Sequence, residues 1–200
     1  MKGIDINKIF KEAIADYHLV DNVNAKMPQK YTDNDFKKLL YLKNWIDTVQ
    51  WHLEDIIRDP QNRPDFLVSI KKSIDQSNQF RTDTVEQIDE LLFENFKNIS
   101  LNENSRLNSE TPAWLLDRMS ILQLKIYHFK EQIERRDADE NHLNTVRQKL
   151  MILQIQEKDL ELCYDQLLED LEEGRKHMKL YKQMKMYNDP NLNPVFYNKK

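Results

Sequence analysis

Residues 64–100 read PDFLVSIKKSIDQSNQFRTDTVEQIDELLFENFKNIS. After Pro64 the stretch contains neither proline nor glycine, the two residues that most readily end a helix. Leu67, Ile70 and Ile74, then Val85, Ile88, Leu92, Phe96 and Ile99, recur in steps of three and four. That is the helical period, and it places one apolar stripe along the segment. Pro64 suits the first helical position, where its missing N–H has no partner to lose. The spacing predicts one long helix from Pro64 to Ser100. Its stripe is interrupted once, at Asn78 and Arg81. An amide and a guanidinium at core positions are a local inconsistency, and such breaks mark strain or function.

The rest of the composition agrees with that reading. Of 200 residues only Gly3 and Gly174 are glycine. A sheet protein of this size needs many tight turns, and glycine supplies them. Few turns mean few, long elements, so the expected class is all-α. Apolar residues make up 40% and charged residues 32%, enough apolar surface for a core. The formal charge of −4 excludes a broad basic footprint for nucleic acid. One cysteine, Cys163, excludes an internal disulfide framework. Beside Leu160, Leu162 and Leu167 it reads as a buried, inert thiol. No apolar run reaches the ~20 residues that span a bilayer. The opening MKGIDINKIFKEA has no apolar signal core, so the expected compartment is the cytoplasm.

Upstream, Ile6, Ile9, Phe10, Ala13 and Tyr17 predict a short helix over 5–18. Thr32 or Asp33 is the expected cap of a second helix carrying Leu39, Leu42, Ile46, Val49, Leu53 and Ile56 and ending near Arg58. Downstream, Thr111-Pro112 starts a fourth helix, with a capping hydroxyl ahead of a first-turn proline. A break is expected near Arg136–Asp139, with Asp137 and Glu140 as a capping box. Leu143, Val146, Leu150, Leu153, Leu160, Leu167, Leu171, Met178 and Tyr181 then share one a/d register up to Asn188. Such a helix over 139–187 would span about 73 Å, against about 37 Å for 112–136. Its far half must pack elsewhere, bend at Gly174 or meet a second chain. The expected architecture is a bundle of about five helices, three of them long, with a long antiparallel hairpin in the C-terminal half. Residues 1–188 form the helical domain and 189–200 an extended tail, with Phe196 and Tyr197 laid on the body. A homodimer through the long last helix is the expected assembly.

With the helices laid out, several strings carry a resemblance. They are Trp51-His52-Leu53-Glu54-Asp55 with Arg58, Ile74-Asp75 with Asn78-Gln79 and Arg81-Thr82-Asp83, and Glu86-Gln87-Ile88-Asp89. Further on come Asn108-Ser109-Glu110-Thr111-Pro112, Asp117-Arg118-Met119-Ser120-Ile121-Leu122 with Lys125-Ile126, and Lys185-Met186-Tyr187-Asn188-Asp189-Pro190. Together they resemble a bacterial family, mainly of Bacteroidetes, catalogued as domain of unknown function 4254. The resemblance implies an all-helical bacterial protein with no assigned activity. It carries an association with cell-envelope sugar transfer and no functional residues.

The polar residues offer four chemistries. Glu54-Asp55 on the second helix and Glu86-x-x-Asp89 on the third are similar to the acidic helices of all-α nucleotide pyrophosphatases of the MazG type. Those hold Mg²⁺, a hard ion that takes carboxylate oxygens. Here Arg58 stands where the third acid belongs, and a Glu54–Arg58 surface pair explains the same residues. On that alternative reading Glu54, Asp55, Glu86 and Asp89 are catalytic, and Asp55, Glu86 and Asp89 hold the metal of a Mg²⁺-dependent nucleotide or phosphosugar hydrolase. Second, His52-x-x-Asp55 and His128-x-x-Glu131 each put two ligand types on one face. Neither matches the Glu-x-x-His order of di-iron bundles, so packed rings are the simpler expectation. Third, His52, Asn78, Arg81, Asp117, Arg118, Lys125 and His128 could converge on an anionic small molecule, since guanidinium binds phosphate or carboxylate in two places. A closed network with Arg81 paired to Asp117 or Asp83 explains the same pattern. Fourth, the basic run Arg175, Lys176, Lys179, Lys182 and Lys185 reads as a solvated helix end. The leading expectation is a binding or assembly protein without a cofactor.

Overall fold

The structure, a computed structural model, describes residues 1–32, 35–186 and 189–197. The described residues form six helices in the order α1 (Gly3–Val20), α2 (Phe36–Arg58), α3 (Pro64–Phe96), α4 (Pro112–Ile133), α5 (Glu140–Glu172) and α6 (Pro194–Tyr197). Two dipeptide strands, β1 (Arg106–Leu107) and β2 (Lys176–His177), pair in parallel. The all-α class holds. Among the described residues, no helix is long and apolar enough to cross a membrane.

Helix α3 starts at Pro64 as its sequence requires and runs 33 residues. Its stripe buries Ile70, Ile74, Val85, Ile88 and Leu92. The core spans the first five helices, with Phe10, Tyr17, Leu40, Leu116, Met119 and Tyr164 almost wholly enclosed. A smaller apolar group, Leu53 with Ile70 and Ile74, closes the α2–α3 end. Burial of such side chains contributes roughly 1.5–3 kcal/mol each.

Several helix ends differ from the sequence expectation, each for a local reason. The cap of α2 is Asp35, whose carboxylate accepts from Lys37 N at 3.0 Å. Thr32 is not the cap, and Asp33 lies outside the described residues, as do Tyr187 and Asn188 of the last recognised string. The break before α5 is present, but its cap is Asp139, which accepts from His142 N at 2.8 Å, rather than Asp137. Thr111 precedes α4 without capping it through its own side chain. The cap comes from α3 instead. Asp89 accepts from the Thr111 hydroxyl at 2.6 Å and from Ala113 N at 3.2 Å.

The largest difference is the end of α5. The apolar register continues to Tyr181, yet the helix stops at Glu172. Gly174 takes a left-handed backbone with φ 67°. A side chain there would strike the Ser100 carbonyl, so only glycine lets the chain turn against that loop. Beyond β2 the chain runs back along α3. Gln183 N donates to Glu86 at 2.9 Å, and Lys185 Nζ donates to Thr82 at 2.7 Å and to the Asn78 carbonyl at 3.0 Å. The basic run is therefore a strap on α3, not a solvated helix end.

The a/d residues Val146, Leu150, Leu160, Leu167 and Leu171 are buried within this chain. Cys163, expected in the core, is exposed. Phe196 and Tyr197 are also exposed rather than laid on the body. Gly3 lets α1 approach α5 closely. A Cβ there would come within 2.8 Å of Glu161 backbone, and Gly3 N donates to Asp165 at 2.8 Å.

Candidate functional site

Where α2, α3 and α4 meet, four charged side chains close on one another. Lys43 is wholly buried, although a lysine on α2 four residues before Asp47 reads in sequence as a surface pair. Its ammonium contacts Asp47 and lies 2.8 Å from Asp117. Arg81 donates to Asp117 through Nε at 2.9 Å and Nη2 at 2.5 Å, and its Nε lies 3.3 Å from Asp47. Ser120 donates to Asp47 at 2.5 Å, and Asn44 donates to Ser120 at 3.0 Å. Two cations face two carboxylates, so the buried group is neutral as a whole. Buried charges persist only when paired in this way. Burial pushes the Asp47 carboxyl up, against the pull of Lys43. The Arg81–Asp117 pairing is one that the sequence reading allowed. Lys43, Asp47 and Ser120 had no signal in the sequence, because their spacing is that of ordinary solvated residues.

One edge of Arg81 remains free. Its side chain is 26% exposed, and Nη1 makes no hydrogen bond among the described residues. Arg81 also lines a cleft of about 360 Å³. Gln50, Trp51, Glu54 and Arg58 line it from α2, and Ile121 and Leu124 from α4. Gln50 donates to the Asn78 side chain at 2.7 Å, which fixes both amides. Glu54 pairs with Arg58 at 2.7 Å, the i, i+4 surface pair. The cleft thus presents an anchored guanidinium, a second arginine, planar amides, carboxylates and an indole.

The other predicted site residues scatter. Arg118 is exposed and turns to Glu110 at 3.4 Å, and Lys125 is exposed. Glu86 receives the strap at Gln183. Asp89 caps α4, and burial pushes its carboxyl up to about 6. The proposed Mg²⁺ set therefore divides. Asp47 and Arg81 touch, while Asp55 lies two turns beyond Asp47 towards the α2–α3 connection. Asp89 lies two turns beyond Arg81 in the opposite direction, so the acids are separated by about 24 Å along the bundle. The structure does not bring them together.

His52 and His128 leave the arginine as well. They gather with His18 of α1, which the sequence reading passed over because nothing local marks it. One ring nitrogen from each of the three lies within 4.8 Å of the others. Tyr17 stacks on His52 at 5.1 Å, Trp51 on His128 at 4.8 Å and Tyr127 on His18 at 4.2 Å between ring centres. Burial lowers the affinity of His52 for a proton, and the neighbouring imidazoles lower it further. Trp51 therefore separates two polar sites, an arginine-floored cleft and a histidine cluster.

No curated protein and no solved structure matches this chain. The family model described as "Protein of unknown function (DUF4254)" matches residues 37–180. That span carries α2 to α5, and with them Asp47, His52, Arg81, Asp117 and His128, but not His18. Because the match covers well over half of the sequence, the chain belongs to the DUF4254 family.

Proposed function

We propose that this protein is a helical binding protein whose α2–α3–α4 cleft takes a small sugar bearing a phosphate or carboxylate group. The observation that carries this is the state of Arg81. Asp117 and Asp47 hold Nε and Nη2 of its guanidinium, Nη1 has no hydrogen bond among the described residues, and Arg81 lines the cleft. A guanidinium fixed beforehand loses little freedom when an anion arrives, which is how binding sites gain affinity. Arg58 adds a second cation at the rim. Glu54 and Asp55 accept from hydroxyls, the remaining Gln50 N–H donates to one, and Trp51 with Leu124 covers an apolar ring face. The acids disfavour a bare phosphate and suit a ligand whose charge is confined to one end. A role in envelope glycan assembly fits such a ligand.

Calorimetric titration with hexose phosphates, hexuronates, neutral hexoses and inorganic phosphate tests the reading. Micromolar to millimolar binding of a charged sugar is expected, weakened at least about tenfold in Arg58→Gln and Trp51→Leu. Heat from phosphate alone, or none from any sugar, removes it.

A second reading concerns assembly. The a/d seam is consumed inside the chain, but Met151, Ile155 and Leu162 form an outer stripe on α5, each 57% exposed. Three large apolar residues on one helical face suit a second copy of this chain. Sedimentation velocity should show a dimer that Ile155→Glu dissociates. A monomer at high concentration ends this reading.

A further inference from the structure

The histidine cluster has a feature that ring packing leaves unexplained. Each imidazole has one nitrogen turned to an anchoring acceptor. His18 Nδ1 lies 2.7 Å from the Ile14 carbonyl, His128 Nδ1 lies 2.7 Å from Glu131 Oε2, and His52 Nδ1 faces Asp55 Oδ2 at 3.8 Å. Those contacts favour the proton on Nδ1 and a lone pair on Nε2. His18 Nε2 and His52 Nε2 then face each other at 3.2 Å. His128 Nε2 is buried and has no hydrogen-bond partner among the described residues. If His52 instead donates from Nε2 to His18, its Nδ1 lone pair points at the Asp55 carboxylate, and the His128 nitrogen still lacks a partner.

We infer that His18, His52 and His128 form a three-nitrogen site for a divalent transition-metal ion of the zinc type. Zinc–imidazole bonds of about 2.0–2.1 Å put tetrahedral nitrogens about 3.3 Å apart. The His18–His52 separation already meets that spacing, and with all three ligand nitrogens within 4.8 Å of one another the His128 ring closes onto a shared ion by a shift of up to about 1.5 Å. Carboxylate and carbonyl partners behind the ligating rings are the usual support of such sites, since they fix tautomer and orientation. The surroundings favour a cation. His18 lies in the last turn of α1, at the negative end of the helix dipole. His52 and His128 come from the C-terminal parts of α2 and α4. Asp55 and Glu131 stand beside the rings, and the charge of Asp21 acts on His52, Tyr17 and Tyr127. Three protein ligands leave one coordination position for water or an anion.

The test uses the full chain freed of metal with chelator. Zn²⁺ is titrated by calorimetry, and X-ray absorption is recorded on the 1:1 Zn²⁺ protein. One equivalent is expected to bind, with imidazole scattering from about three nitrogens near 2.0 Å. His18→Ala, His52→Ala and His128→Phe should each weaken binding at least about tenfold, while His142→Ala and His177→Ala leave it unchanged. His128→Phe keeps an aromatic ring on Trp51, and the absorption spectrum of the unmutated protein needs no variant to fold. The inference is overturned by no stoichiometric binding at micromolar Zn²⁺, by bound zinc without imidazole scattering, or by an equal loss in His142→Ala or His177→Ala.

Discussion

The two polar sites flanking Trp51 are built on opposite principles. Around Lys43, Asp47, Arg81 and Asp117, every charge has an opposite charge within contact distance. Around His18, His52 and His128, the rings are packed and anchored, yet a buried nitrogen is left over. The first arrangement pairs all four of its charges without a ligand and fixes three helices in register, leaving over, among the described residues, only Arg81 Nη1 and Asn44 Oδ1. The second is complete only with something that accepts lone pairs. A polar cluster inside a bundle is thus not evidence of a site by itself. A left-over donor or acceptor points to a ligand where it meets a cleft or others of its kind, as Arg81 meets the cleft and His128 Nε2 meets two further imidazoles.

The largest effect should come from unbalancing the charged cluster. Lys43→Met leaves Asp47 and Asp117 sharing only Arg81, and should cost about 3–5 kcal/mol in urea unfolding followed by circular dichroism. Adding Asp47→Leu should recover much of that loss. A single-variant loss under about 1 kcal/mol would show that the cluster is not closed in solution.

Asp89 extends the comparison, because it too is a structural acid. Burial pushes its folded-state carboxyl up to about 6, from the ordinary value of 3.8, against the pull of the Thr111 and Ala113 hydrogen bonds. The folded protein therefore holds a proton that the unfolded chain releases between those values. Stability from this group is full below the unfolded value and is lost as pH rises through about 6, by on the order of 1–2 kcal/mol once solvent screening is allowed for. Asp89→Asn cannot titrate and should flatten the slope between pH 4 and 6.5. A slope unchanged by the substitution would assign it to other groups.

In the histidine cluster the metal-free expectation is the reverse of that for Lys43. Replacing His128 by phenylalanine removes an unpartnered buried nitrogen, so its stability should change by no more than about 1 kcal/mol and in the stabilising direction. A loss of several kcal/mol would make the cluster as structural as the charged one. The smallest effect belongs to the surface pair. Glu54→Gln should alter stability by less than about 0.5 kcal/mol, since exposed pairs contribute little, while it still weakens a ligand in the cleft.

These differences also explain what could be read in advance. The α3 helix and its interruption at Arg81 were legible because a period of three to four shows locally, and so does a guanidinium that breaks it. Asp117 could be named as a partner because it flanks the apolar seam of the next helix. Lys43 could not, since four residues before Asp47 it looks like any solvated ion pair. His18 was invisible for a related reason. Its role depends on the C-terminal parts of three helices meeting, and nothing near residue 18 encodes that. The end of α5 is hidden in the sequence because apolar spacing continues through Met178 and Tyr181. The stop is set by Gly174 against the Ser100 loop, a contact between distant segments. Asp89 enters the alternative metal set because its spacing to Glu86 is helical, whereas its partners lie on α4.

The contrast between the balanced and the unbalanced cluster is open to one direct observation. Long-range proton–nitrogen correlation spectra of the imidazoles report which ring nitrogen carries the proton and which binds metal. With one equivalent of Zn²⁺, the Nε2 signals of His18, His52 and His128 should move together while their Nδ1 stay protonated, and His142 and His177 should be unchanged. Three rings indifferent to zinc, or a His128 carrying its proton on Nε2, would contradict the account.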